Sequence, residues 1–100
     1  MAVHNLRDLQ FPLGEPRKYT TDFDEALRGA VEGEKGAEGE REERLRGLLE
    51  RGDLRKAHPS LEHLWPIYVA AGAADGESAK RIWTKGEGSL SWGLFKFGEV

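Results

Sequence analysis

The sequence predicts an α/β chain in which about three helices precede a closing pair of strands. Two observations carry this. Phe23, Ala26, Leu27, Ala30 and Val31 recur at helical spacing and form one apolar stripe. Beyond Asp75-Gly76 the residue types change. Ile, Trp, Thr and Phe mark 79–85 and 90–97, with Gly86 and Gly88 between them, which is a hairpin pattern.

Taken in order, Met1 to Leu9 follows neither a helical nor a strand period. Phe11 to Thr20 contains Pro12, Gly14 and Pro16 and reads as a loop. The first helix is expected to start at Thr21 or Asp22, because Asp22 and Glu25 have the spacing of a capping box. Gly33 and Gly36 end it. The charged stretch from Glu34 to Arg44 leads, as a solvated linker, into a second helix whose narrow apolar edge is Leu45, Leu48 and Leu49. Gly52 stops that helix. A third helix should follow Pro59 with Ser60 as its N-cap, and Leu61, Leu64, Trp65, Tyr68 and Val69 on one face. Pro66 falls inside that pattern, so a bend is expected where the carbonyl of Glu62 loses its donor. In the last segment Leu90, Trp92 and Leu94 alternate with Ser91, Gly93 and Phe95. Both faces are largely apolar, as in a strand enclosed by a larger sheet.

The composition excludes several function classes. With 38% hydrophobic and 33% charged residues over 100 positions, the chain is lean for a self-sufficient core. It suits one domain or a piece of one. A net charge of −3, with acids and bases interspersed, offers no stripe for nucleic acid. The absence of cysteine rules out disulfides, thiolate metal sites and thiol nucleophiles. No apolar run approaches the ~20 residues that span a bilayer, and the N-terminal residues lack the order of a signal peptide. A soluble cytoplasmic protein is the expectation. No Walker loop, dinucleotide fingerprint or nucleophile elbow occurs.

Chemistry therefore falls to three histidines, His4, His58 and His63. The spacing of His58 and His63 does not place them on one helical face, and no H-E-x-x-H pattern accompanies them. By spacing alone each reads more readily as a satisfied structural residue than as a ligand. Glu62, next to His63, reads as a partner of the helix dipole.

Three blocks, in order, change the balance. Met1-Ala2-Val3-His4-Asn5-Leu6-Arg7 resembles the segment around the active-site histidine of class III extradiol ring-cleavage dioxygenases of the DOPA-dioxygenase type. His58-Pro59-Ser60-Leu61-Glu62-His63-Leu64-Trp65-Pro66 resembles their H-P-x-x-E-H-x-x-P block. Gly88-Ser89-Leu90-Ser91, followed by Phe97-Gly98, resembles their last strand. The resemblance spans nearly the whole chain. It implies an α/β sandwich with a central mixed sheet, of which residues 1–100 supply the C-terminal part of the catalytic domain.

It further implies a non-haem Fe(II) site, with Zn(II) as the alternative occupant, that opens a catechol ring with O2. In that scheme His63 is the metal ligand from this part and His4 the acid/base histidine beside the metal. His58 receives no firm role. Neutral imidazole suits Fe(II), and a pKa near 6.5 lets histidine accept and return a proton at neutral pH. The family's other histidine ligands precede the position of His4, so the expectation is an incomplete site, inactive alone. The alternative is a non-enzymatic degenerate copy or subunit that associates with a full-length relative through an open sheet edge.

Overall fold

The computed structural model describes residues 1–9, 14–33, 40–74, 77 and 79–98. Among them the chain forms a mixed α/β globule of four helices and two small antiparallel sheets. The order is β1 (Val3–His4), a 3-10 turn (Leu6–Asp8), α1 (Lys18–Glu32), α2 (Glu40–Leu48), α3 (Leu54–Ala57), α4 (Trp65–Ala74), β2 (Ala79–Trp83), β3 (Gly86–Glu87), β4 (Leu90–Ser91) and β5 (Leu94–Phe97).

The apolar stripe of α1 is as the periodicity requires. Phe23, Leu27, Ala30 and Val31 are buried, and Ala26 packs against them. The start differs from expectation. The helix begins three or four residues earlier, at Lys18, with Arg17 as an N-cap whose side chain makes no capping bond, so the Asp22–Glu25 pair lies inside the helix. Asp22 instead accepts from Lys18 one turn back, at 2.9 Å. The earlier start is secured from outside: the Arg17 N–H and the Thr20 hydroxyl both donate to the Gly88 carbonyl, at 2.9 and 2.8 Å. Long-range bonds override the local capping signal.

Leu45 and Leu48 of α2 join the core through contact with α1, with Leu49 at its margin. The short helix α3 has no periodic signal of its own. It buries Leu54 and Ala57. The third expected helix is shortened at its start. Residues 59–64 form bends and turns, and α4 begins at Trp65. His58 and His63 thus both precede the helix. Pro66 sits in the first turn, where no intrahelical donor is required of it, so it imposes no bend. The expected face also divides. Leu64 is fully buried, whereas Trp65 and Val69 are exposed and Ala71 and Ala74 face inward.

The closing strands pair, but not as one simple hairpin. β2 and β5 are antiparallel, with Ala79 opposite Phe97 and Arg81 opposite Phe95, and an irregularity between Arg81 and Trp83. The residues between them form a second hairpin, β3–β4, which takes β1 on its other side in the order β1-β4-β3. Leu90 and Phe97 therefore belong to different sheets. Both sheets are antiparallel, and Leu94, Ile82 and Trp83 are exposed rather than enclosed. Residues 11–13 of the loop expected from Phe11 to Thr20, residues 34–39 of the linker expected from Glu34 to Arg44, and the Asp75-Gly76 turn lie outside the described residues.

The β3–β4 turn is Gly88-Ser89, with Glu87 opposite Leu90. Gly88 has φ +54°, the left-handed conformation that two-residue hairpin turns require and glycine adopts without strain. Ser89 is fully buried, and its hydroxyl donates to the Asn5 carbonyl at 2.6 Å. Ser89→Ala is expected to cost roughly 1–2 kcal/mol in urea unfolding, because a buried acceptor loses its donor.

A polar seam joins α1 to β2. Arg81 reaches Glu25 at 3.0 Å and Asp24 at 3.5 Å, and its backbone N–H donates to Glu32 at 2.6 Å. Thr84 donates to the buried Asp24 at 2.8 Å. Asp24 thus has partners for its charge, as a buried carboxylate needs.

Candidate functional site

The sequence placed His4 in a segment with no clear period. The structure makes it part of a strand. Its neighbours Val3 and Ala2 are buried, and Val3 and His4 stand opposite Ser91 and Leu90 of β4. His63 lies in the turn before α4, next to the buried anchor Leu64. The two rings, far apart in sequence, stack face to face with centroids 3.7 Å apart and planes inclined by 22°. His4 is partly buried and His63 exposed, so the pair sits at the surface end of the core.

His58 lies behind them, fully buried. It terminates α3, with its N–H on the Leu54 carbonyl at 2.7 Å. Its Nε2 is 2.7 Å from the carbonyl oxygen of Ala2. A carbonyl only accepts, so Nε2 carries the ring proton and Nδ1 is bare. Nδ1 has no hydrogen-bond partner. Phe23 of α1 meets the ring edge-on, with centroids 5.5 Å apart.

The electrostatics follow from burial. The His58 pKa falls to about 4, first because burial disfavours the cation. The bond to Ala2 opposes this, while the Met1 ammonium, His4 and His63 add to the decrease. The His4 pKa is also lowered, mainly by partial desolvation and then by His63. At neutral pH both rings are uncharged, and His4 is able to take up a proton.

Beside the pair a cleft of about 250 Å³ runs between α4 and β5. His63, Ala2, Leu27, Pro66, Ile67 and Phe95 are among its walls, so one imidazole faces an otherwise largely apolar recess. A larger cleft of about 440 Å³ between α2 and α4 contains no histidine. Its arginines are engaged: Arg41 donates to the Val31 carbonyl at 2.9 Å and Arg46 pairs with Glu42.

The sequence singled out His4 and His63, and the fold brings them together. Glu62 lies outside α4 and is exposed, so it does not serve that helix's dipole. What sequence reasoning missed is the support beneath the pair, Asn5 and His58. Asn5 donates to the Lys56 carbonyl at 2.6 Å, and its side-chain oxygen caps the following 3-10 turn at the N–H of Asp8, 3.1 Å away. These contacts end on backbone atoms, which leave no signature in residue type. Among the described residues no group of three or more His, Cys, Asp or Glu side chains is placed to hold a metal ion. No helix of the described residues is long and apolar enough to cross a membrane. No family model, curated protein or solved structure matches this chain.

Proposed function

We propose that this chain is the C-terminal part of an extradiol ring-cleavage dioxygenase of the DOPA-dioxygenase type. In this reading it carries one Fe(II) ligand, His63, and the acid/base histidine, His4. The observation that supports the reading is the convergence of these two residues, named from separate blocks, into one stack 3.7 Å apart beside an apolar cleft. Catechol is a flat, mostly apolar ring with two adjacent oxygens, and such a recess with an imidazole at its wall suits it. The small sheets seen here would then extend into a central mixed sheet completed by residues outside this chain.

The residues present do not by themselves fit a closed iron site. One proposed ligand stands where at least two or three are needed, and the nearly parallel rings of His4 and His63 direct their ring-plane lone pairs side by side rather than toward one point. What these residues supply is therefore orientation and proton handling. His63 is the imidazole at the cleft wall, and His4, neutral at pH 7 and stacked on it, accepts a proton from an acidic hydroxyl that reaches the pair and returns it to a developing oxyanion. Leu27, Ile67 and Phe95 exclude water from one side of that exchange.

The test joins the chain to the polypeptide encoded upstream in its native transcript, loads Fe(II) anaerobically, adds a catechol and then admits oxygen. A yellow ring-fission product is expected from the joined protein and none from residues 1–100 alone. His63→Ala should abolish the product, and His4→Asn should lower kcat by roughly 10²–10⁴. Product formation unaffected by His63→Ala sinks the assignment, as does a transcript with no histidine-bearing segment upstream.

One observation favours a second reading, in which the chain is a non-catalytic subunit that associates with a relative. Ile82, Trp83 and Leu94 leave the β2–β5 ribbon with exposed apolar side chains, as a surface completed by another polypeptide would have. A native intact mass near 11.2 kDa, together with co-purification of a longer relative, would favour it.

A further inference from the structure

A two-residue strand is a weak platform for a reactive side chain, because its few ladder bonds leave it free to shift. β1 nevertheless presents His4 in a defined stack, and the contacts around it account for this. Toward the sheet, the Ala2 N–H donates to Ser91 and the Asn5 N–H to Ser89, at 3.0 and 3.2 Å. Two further bonds run to one short stretch, residues 56–58. The His58 Nε2–H donates to the Ala2 carbonyl at 2.7 Å, and the Asn5 amide donates to the Lys56 carbonyl at 2.6 Å. His4 lies between these two attachment points.

The same stretch leads to His63. His58 is itself immobilised, with its N–H bonded to Leu54 and its ring fully buried against Phe23. Leu64 anchors the far end, fully buried, with its N–H on the Leu61 carbonyl at 3.0 Å. Pairing with β4 sets the position of β1 in its sheet. The bonds to residues 56–58, together with the Met1 ammonium's bond to the His63 carbonyl at 3.2 Å, set its distance from the segment that carries His63.

We infer that His58 is a positioning residue: its Nε2–H bond to the Ala2 carbonyl, seconded by Asn5, fixes β1 so that His4 stacks on His63. The role of the stacked pair rests on the function proposed above, but the clamp itself is independent of it. A side chain that donates one hydrogen bond from the same place will serve. One that fills the volume without donating will not. Because the bond requires the proton on Nε2, the tautomer of His58 is part of the inference.

The experiment is NMR of the full 100-residue chain at pH 7, without metal or catechol. Ring ¹⁵N shifts of His58 should show a neutral ring protonated at Nε2, and a proton on Nδ1 overturns the inference without any variant. The His4 and His63 ring protons should show mutual Overhauser contacts and upfield ring-current shifts. His58→Gln keeps a donor and should retain both signatures, whereas folded His58→Phe should lose them. Retention in His58→Phe overturns the clamp. Should His58→Phe not fold, loss of the contacts in folded His58→Gln overturns it instead. Because neither metal nor substrate is used, retention of the stack in His58→Phe overturns the clamp and leaves the dioxygenase reading standing, absence of the stack in wild type overturns both, and failure of turnover leaves the clamp standing.

Discussion

Replacing Phe23 by Ala is expected to lower the unfolding free energy by about 3–5 kcal/mol. Phe23 is fully buried in the α1 stripe, where the core elements meet. Its ring also supports His58 edge-on, at 5.5 Å between centroids. Truncation removes the transfer free energy of a phenyl ring and leaves a cavity that a helix, held by its other contacts, does not close. A domain of this size has about 5–15 kcal/mol in total, so the loss takes a large share of it. Urea unfolding followed by tryptophan fluorescence measures the effect. A loss below about 1 kcal/mol would mean that the site collapses freely and that Phe23 is not the centre of the core. The same variant should broaden the His58 ring signals, because the aromatic edge against them is gone.

The second large effect is acid destabilisation through His58. Its folded pKa of about 4 lies below the ordinary 6.5, so the folded state keeps the ring neutral while the unfolded state takes up a proton. The stabilisation is complete above pH 6.5, falls as the pH drops from 6.5 to about 4, and is flat for this group below that. The total is roughly 3–4 kcal/mol. The groups that bear on the ring are the Met1 ammonium, His4 and His63, all of which oppose its protonation.

Carboxylates act in a lower window. Glu25 is held below its ordinary value by hydrogen bonds to Arg28 and Arg81, and Asp53 by its bond to Arg51. Their contributions are present above the unfolded values of 4.5 and 3.8 and are lost as the pH falls through the depressed ones. Urea titrations of wild type and His58→Gln at pH 7, 5.5 and 4.5 separate the two windows. The wild type should lose stability over this range and the variant much less. Equal losses would show that His58 is not the group being protonated.

The parts of the fold that depend on local pattern were legible. The α1 stripe, the apolar edge of α2 and the pairing of two late strands all follow from residue spacing, because burial of one face is what periodicity encodes. The helix starts were not. Asp22–Glu25 and Ser60 carry capping signals, but α1 starts where the Gly88 carbonyl receives Arg17 and Thr20, and the residues after Ser60 stay in turns up to Leu64. The split of the last segment into two sheets also depends on β1, a partner at the other end of the chain. As for the site, histidine is a residue type that stands out, so His4 and His63 could be named in advance. Their stacking could not, because it depends on the bonds that Ala2 and Asn5 make with residues 56–58.

The Gly88-Ser89 turn receives bonds from Arg17 and Thr20 and gives one to Asn5, so it joins the first twenty residues to the last dozen. During synthesis this imposes a schedule. α1 and the helices after it can form as they emerge, but β1 has no strand to lie against until β4 has been translated. At about 5–20 residues per second, His4 waits on the order of several seconds for its ladder partner. Closing so long a loop comes late, when the helical part is already collapsed and the entropy of bringing the ends together has been reduced. β1 is made before the other described elements but lies against its partner only after them, and until then Val3 is apolar surface in need of shielding.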